Sequence, residues 1–534
     1  MSLKVREKVL KVESLLGENV GQSVVQGYLE LPASVEDIGR VIWLDAVPVI
    51  KDYGATEDRV VAEGHLRINL VYAAEAEDFE QRLYEVTWED PVSFNHFVEI
   101  IGAQAGMKCS YDVSVLNVEW DLRPDRRTID IEVLLTMLAR VYQEQEYTVV
   151  ESASIKPPKK LVLEDVPVHN NLEVACFPVR EDINGNLAVL EDEERFETIL
   201  KLKATPVVTD SRPSQGSLRL KGYCDVEAIV VTANAEVKKV RWEQVLPYEI
   251  SVEDQRICDD FQVLKDFTLN LTGRIQAEGK ELRLYGDLIG KITLVEKQES
   301  RMVLGLSGVN GVEIDSRREL VRFDNFVNEK SQQSSAQGVI ELSENYPPIR
   351  EIIDVNAVAH IIDYRIDEDK IFIDGNLDLS VIYLAHTEYE NRPLYCAVFR
   401  NAIPIQQVIA VGGVLPGMRA EIDLEVLECY PDLINRETIE FEVTYRINTK
   451  VFQPLEEEVV VEAIELEEQD PDPPSITYVV VQEGDTLWKL AKKYNTTEEA
   501  ILIANSWLRE KEDFKLSEGE KVCIPRRGIK TMGR

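Results

Sequence analysis

Histidine is scarce in this chain: His65, His96, His169, His360 and His386 are the only five among 534 residues. They are scattered, and neither an HExxH nor a His-x-His pair occurs, so no metal site is expected. Cysteine is sparse and odd in number. Cys109, Cys176, Cys224, Cys258, Cys396, Cys429 and Cys523 are dispersed, with no CxxC. That spacing suits buried thiols in a reducing compartment and not a disulfide framework. Long apolar runs are also missing. No stretch approaches the roughly 18–20 consecutive apolar residues of a membrane-spanning helix. The charged start MSLKVREKVLKVESLLGENV is followed by no apolar run of about 7–15 residues, so no secretory signal is expected there.

Catalytic signatures are missing in the same way. No G-x-S-x-G and no dinucleotide fingerprint occur. GDLIGKIT from Gly286 resembles a phosphate loop, but it is one residue short and Ile292 stands where Ser or Thr is needed. Carboxylates are too abundant for any pair to stand out as acid and base. The expectation is no catalytic residue, no cofactor and no enzyme.

Basic residues are outnumbered, 59 Lys and Arg against 97 Asp and Glu, for a net charge of −38. Such a field repels phosphate backbones and disfavours nucleic acid as a partner. The 44% apolar fraction argues against global disorder. The charge is uneven. From Ser475 onward about 11 basic residues face about 9 acidic ones. Subtracting that +2 from −38 leaves about −40 on the preceding body. A near-neutral head thus sits on an acidic body.

What the sequence has is repetition. At an offset of 311, Gly27 falls on Gly338, Leu31 on Leu342, Gly64 on Gly375, Leu66 on Leu377 and Tyr72 on Tyr383. A slip to 310 then aligns DRRTIDIEV from Asp125 with NRETIEFEV from Asn435. A weaker copy lies at offset 158, where Ala46, Pro48, Val49 and Asp52 fall on Ala204, Pro206, Val207 and Asp210, and Gly64 falls on Gly222. Three copies of a unit of about 120–130 residues follow from this register. Each reads as strands. Leu66, Ile68 and Leu70 alternate with polar neighbours, as do Leu377, Leu379, Val381 and Tyr383. No regular strand–helix alternation occurs, so two-layer antiparallel β is expected.

The expected organisation is a helix over 1–23, repeat domains over 24–150, 160–300 and 336–455, an acidic proline-containing linker over 456–475, a small domain over 476–526 and a basic tail over 527–534. The helix rests on Val5, Val9, Val12 and Leu16, spaced i, i+4, i+7 and i+11. The linker rests on PLEEEVVVEAIELEEQDPDPP, whose charged end from Glu467 to Pro474 self-repels and stays extended.

From Tyr478 the chain reads YVVVQEGDTLWKLAKKYNTTEEAILIAN, then LSEGEKVCIP up to Pro525. Strand, Gly-Asp-Thr turn, two helices and a closing strand resemble the LysM module, a βααβ fold that holds N-acetylglucosamine-containing glycans. The resemblance places the groove at Gly484, Asp485, Thr486, Ile503, Ala504 and Asn505, with Trp507 nearby. Trp488 and Trp507 suit a protein partner as well, since Trp is enriched at interface hot spots.

LELPASVEDIGRVIWLDAVPVI, VVAEGHLRINLVYAAEAED, AGMKCSYDVSVLNVEW and RRTIDIEVLL resemble the SPOCS domain of endospore-forming bacteria. VNAVAHIIDYRIDEDKIFIDGNLDLSVIYLA in the third copy matches about as well; the middle copy is diverged. The whole is therefore expected to be mainly β: three tandem antiparallel β-sandwich-like SPOCS domains and a small α+β LysM domain. SPOCS domains followed by a C-terminal LysM resemble the SipL-like spore coat morphogenetic proteins, with SpoVID as a distant counterpart. That resemblance implies a non-enzymatic scaffold in the mother-cell cytoplasm, at the forespore surface and in the spore coat. Its implied partners are a SpoIVA-like coat ATPase and other coat proteins. The alternative is a cytosolic LysM-type binder of peptidoglycan or its lipid-linked precursor.

Overall fold

The computed structural model describes residues 3–74, 82–189, 195–309, 312–386, 393–466, 476–511 and 514–525. The first unit contains β1 (Leu3–Glu30), β2 (Ile38–Thr56), β3 (Arg59–Ala74), β4 (Leu83–Glu99), β5 (Lys108–Leu122) and β6 (Thr128–Ile155). These form two antiparallel three-stranded sheets, ordered β1-β6-β5 and β2-β3-β4. The second unit repeats the pattern with β7 (Lys160–Ala188), β8 (Phe196–Ser214), β9 (Ser217–Thr232), β10 (Val237–Glu253), β11 (Gln262–Gln276) and β12 (Glu281–Val309). The third does so with β13 (Ile314–Glu341), β14 (Ile349–Asp367), β15 (Lys370–Ala385), β16 (Leu394–Ala410), β17 (Arg419–Asn435) and β18 (Thr438–Glu465). The molecule is mainly β, as its alternation indicates.

In each unit the two sheets share an apolar cluster. Leu66, Ile68, Leu70 and Tyr72 of β3 meet Ile129, Val133 and Leu135 of β6. Leu377, Leu379, Val381 and Tyr383 of β15 meet Ile439, Phe441, Val443 and Tyr445 of β18. Leu220, Val226 and Ala228 of β9 meet Leu282, Leu284 and Leu288 of β12. A repeated glycine marks a close backbone approach in all three units. A Cβ added to Gly64, Gly222 or Gly375 would lie 2.3, 2.3 or 2.6 Å from the carbonyl oxygen of Val49, Val207 or His360. Only glycine leaves room for that oxygen.

Residues 3–23 of the expected helix are not helical. From Leu3 they belong to β1, which pairs with β6 along its full length. Leu10 and Val12 are buried at 1% and 3%, two residues apart, while Val9 is 57% exposed. The inward period is therefore two. The helical spacing of Val5, Val9, Val12 and Leu16 is incidental, because β1 carries register shifts at Arg6/Glu7 and Leu15/Gly17 that turn its face. Residues 456–465 are likewise strand and not linker, since β18 continues to Glu465 and pairs with β13. The linker's charged end at 467–475 and the expected basic tail from residue 527 lie outside the described residues.

The units close on one another. β4 packs on β8, β10 on β14 and β16 on β2. Val71 and Ala73, Leu200 and Ile229, and Ile382 and Leu384 meet in a shared cluster. The outer halves of the long ribbons meet in a second one, where Leu10, Val168 and Val321 hold equivalent places, as do Val149, Met302 and Val459. Val150, Val303 and Val460 repeat the arrangement in a third cluster. The three copies thus stand around a pseudo-threefold axis, and the first residue of β1 reaches the third copy: Leu3 N donates to Glu465 Oε2 at 3.1 Å.

Between the ribbons lies a polar cavity of about 180 Å³. The repeat register places Glu13, Asn171 and Asp324 at one level of it, and Lys108, Gln262 and Arg419 at another. Lys108 Nζ lies 2.7 Å from Glu13 and 3.3 Å from Glu173, joining the first two units. Arg419 lies 2.7 Å from Glu421 and 3.1 Å from Asp324. Burial raises the Glu13 carboxyl above its usual range, and Lys108 opposes that. Each level thus carries two like charges and one neutral amide, and of these pairs Lys108–Glu173 crosses from one unit to the next.

Candidate functional site

The C-terminal module consists of β19 (Ile476–Val480), α1 (Leu487–Lys493), α2 (Glu498–Ala504), a 3-10 turn over Ser506–Glu510 and β20 (Lys521–Pro525). β19 and β20 pair antiparallel. Thr486 caps α1 by accepting from Lys489 N at 3.2 Å, and Thr497 caps α2 by accepting from Ala500 N at 3.0 Å. Val481, Leu487, Leu490, Ile501, Leu508, Val522 and Ile524 form the core. Leu487 follows the Gly-Asp-Thr turn and Leu508 follows Trp507, so both loops are anchored on one small cluster.

The turn is built from its own side chains. Gly484 has φ +82°, which glycine tolerates best. Gln482 N donates to Asp485 Oδ2 at 2.8 Å, and Lys489 Nζ donates to the Gly484 carbonyl at 2.9 Å. Asp485 is therefore occupied in holding the turn, and Thr486 in capping. Gly484 and Thr486 are exposed. On the other loop Ile503 is 40% and Trp507 38% exposed, with the Lys511 ammonium 5.2 Å from the Trp507 ring centroid. Ala504 is half-buried.

Asn505 faces inward. It is 3% exposed; Nδ2 donates to the Ile501 carbonyl at 2.7 Å and to the Cys523 carbonyl at 2.6 Å, and Oδ1 accepts from Cys523 N at 2.8 Å. It ties α2 to β20 and leaves nothing for a ligand. Trp488 is half-buried, with Nε1 buried and unpartnered. The residues open to a partner are thus Gly484, Thr486, Ile503 and Trp507. Sequence reading missed an outward apolar row on β19: Ile476, Tyr478 and Val480 are 55%, 72% and 44% exposed. Its signal was the period of two in ITYVV.

Elsewhere, an open cleft of about 670 Å³ separates the first two units, lined among others by Asp45, Arg67, Glu197, Lys201 and Arg274. Its charges are mixed, and burial pushes the Asp45 carboxyl up while Lys201 opposes the shift. Arg67 and Asn270 bridge the two units at 3.2 Å.

Residues 37–123 and 348–434 match the family described as SipL, SPOCS domain, and residues 479–525 match the LysM domain. The chain carries two SipL-type SPOCS domains and one LysM domain. The SPOCS matches start and end 311 apart, since 348 − 37 and 434 − 123 both give 311. That is the gapless register of the repeat. They cover β2 to β5 and β14 to β17, leaving out the long ribbons β1–β6 and β13–β18. No curated protein and no solved structure matches the chain. SPOCS and LysM domains together fit a protein of sporulation and the spore coat, and the LysM domain brings a fold associated with glycan binding.

Proposed function

We propose that this chain is a non-enzymatic scaffold of spore coat morphogenesis. It acts in the mother-cell cytoplasm at the forespore surface, where it joins a SpoIVA-like coat ATPase and promotes encasement by the coat. The observation that carries this reading is the pairing of two SipL-type SPOCS domains with one LysM domain on a single chain. The middle unit is a third, diverged SPOCS domain: it repeats the strand order and the glycine of its neighbours although the family match omits it. Each unit works as a two-sheet sandwich, and the three together form one body.

The LysM module takes the partner on the face formed by Gly484, Thr486, Ile503 and Trp507, with Asp485, Ala504 and Asn505 shaping it from behind. An acidic partner meets less repulsion at a near-neutral head than at the acidic body. Capture of the tagged full chain from sporulating cells, followed by mass spectrometry, tests the reading; a SpoIVA-like ATPase should be enriched, and enrichment should survive every change outside the module. Its loss from the capture, or its retention after deletion of 476–525, overturns the proposed face. The LysM fold itself favours a second reading, binding of peptidoglycan or its lipid-linked precursor. Chitin oligomers binding the full chain, abolished by Trp507→Ala without any captured ATPase, would select it.

A further inference from the structure

The C-terminal module meets the body at a point the repeat makes legible. A methyl group built on Gly305 of β12 would come within 2.6 Å of Cη2 and Cζ2 of Trp488, and 3.2 Å from Glu164 Oε2. The sister copies supply an internal control. Gly305 follows a register shift after Val303 and pairs with Glu164. The same shift in β6 is followed by Ser152, paired with Arg6. In β18 it is followed by Glu462, paired with Arg317. Ser152 and Glu462 are exposed, whereas Gly305 is buried. Of the three equivalent places, the middle one lacks a side chain and carries an acid where the others carry a guanidinium.

Helix α1 brings the complementary groups. Lys492 Nζ stands 5.1 Å from the Trp488 ring centroid. Burial holds its ammonium below the usual range, Arg318 adds to that and Glu164 opposes it. We infer that the middle unit is the seat of the LysM module, with Gly305 as the socket for Trp488 and Glu164 as the counter-charge for Lys492. At the sister positions the indole would meet the side chain of Ser152 or Glu462, and Lys492 would face Arg6 or Arg317. Volume and charge therefore select one place of three. This gives the unit that the SPOCS match omits a reason to differ from its neighbours.

The seat is incomplete in one respect. Trp488 Nε1 is buried with no acceptor. A desolvated donor left unpaired weakens the docked state. A competitor that offers an acceptor supplies what the seat does not. Trp488 is then a latch, held either by the body or by a partner, and the seat does not depend on which partner that is.

Hydroxyl-radical footprinting of the full chain, read at single residues by mass spectrometry, tests the seat without any partner. In the parent chain Trp488 should oxidise several-fold more slowly than Trp507. Gly305→Leu fills the socket and should bring Trp488 up to the rate of Trp507, with Trp507 unchanged. Glu164→Arg restores the charge of the sister positions on an exposed side chain and should raise Trp488 in the same direction. Where Gly305→Leu lowers the thermal transition of the body, Glu164→Arg decides alone. Equal oxidation of the two tryptophans in the parent chain, or an unmoved Trp488 in Glu164→Arg, overturns the inference.

Discussion

Asn505 spends three hydrogen bonds on holding α2 to β20, two of them donated by Nδ2 and one accepted by Oδ1. Asn505→Ala leaves the half-buried N–H and carbonyl of Cys523 without those partners, and such a loss costs roughly 1 kcal/mol. The expected outcome is a lower urea midpoint for the module, followed by hydrogen exchange at β20 in the full chain. Trp507 is different. Its ring is partly exposed and its removal disturbs no core contact. Trp507→Ala should leave the module's exchange protection as it was and weaken ATPase capture roughly thirtyfold, the effect of a hot spot worth about 2 kcal/mol. Direct titration of the two full-length variants separates the roles. The motif places both residues in one groove; only three-dimensional packing tells which one is its wall and which its surface.

At the scale of elements, the repeated glycines give the clearest expectation. Gly64→Ala would drive a methyl group to 2.3 Å from the Val49 carbonyl, against backbone that cannot swing aside. Destabilisation of about 1–3 kcal/mol follows from overpacking of this kind. Gly54, in the same β2 hairpin, has nothing within 4 Å of its Cβ position. Gly54→Ala should be neutral or stabilising by up to about 1 kcal/mol. Urea midpoints measured by circular dichroism should move in opposite directions, or only one should move. The glycines were legible because they recur at offsets of 158 and 311, and so were β3 and β15, whose inward residues alternate without interruption. The long ribbons were not. β1 serves the core of its own unit near Val25 and Leu29 and the shared cluster near Leu10 and Val12. A strand that changes partner and crosses two bulges loses its single period, and its remaining spacing imitates a helix. The outer end of β18 failed for a related reason: EEEVVVEAIE looks like a charged tether until the neighbouring ribbons that cover Val459 and Val460 are in place.

At the scale of the whole molecule, Lys108 and Lys239 are among the lysines that join the units by charge. Burial works against the Lys108 ammonium, but Glu13 and Glu173 outweigh it and raise its pKa above the ordinary 10.5. Burial likewise opposes Lys239 of the second unit, and Asp354 of the third unit and Glu227 outweigh it. A lysine raised in the folded state contributes stability that is complete below its unfolded pKa and is lost as pH climbs through the higher folded one. The window therefore opens near pH 10.5 and extends above it. Each side chain is about a third exposed, so screening keeps either contribution modest. Thermal transitions recorded between about pH 9 and 12 should fall with pH over that window, and Lys108→Gln with Lys239→Gln should flatten the fall. An equally steep fall in the double variant would show that other groups set it.

Leu3 and Glu465 lie side by side, 462 residues apart along the chain. On the ribosome this has a consequence in time. The first unit emerges with Leu10, Val149 and Val150 facing water, because Val321, Val459 and Val460 have yet to be made. A message that ends early therefore yields a protein with an open, oily seam, the kind of surface that chaperones and proteases grip. Completion of the last strand conceals it. The closure of the third copy on the first thus makes finished chains and fragments differ in the apolar surface they expose.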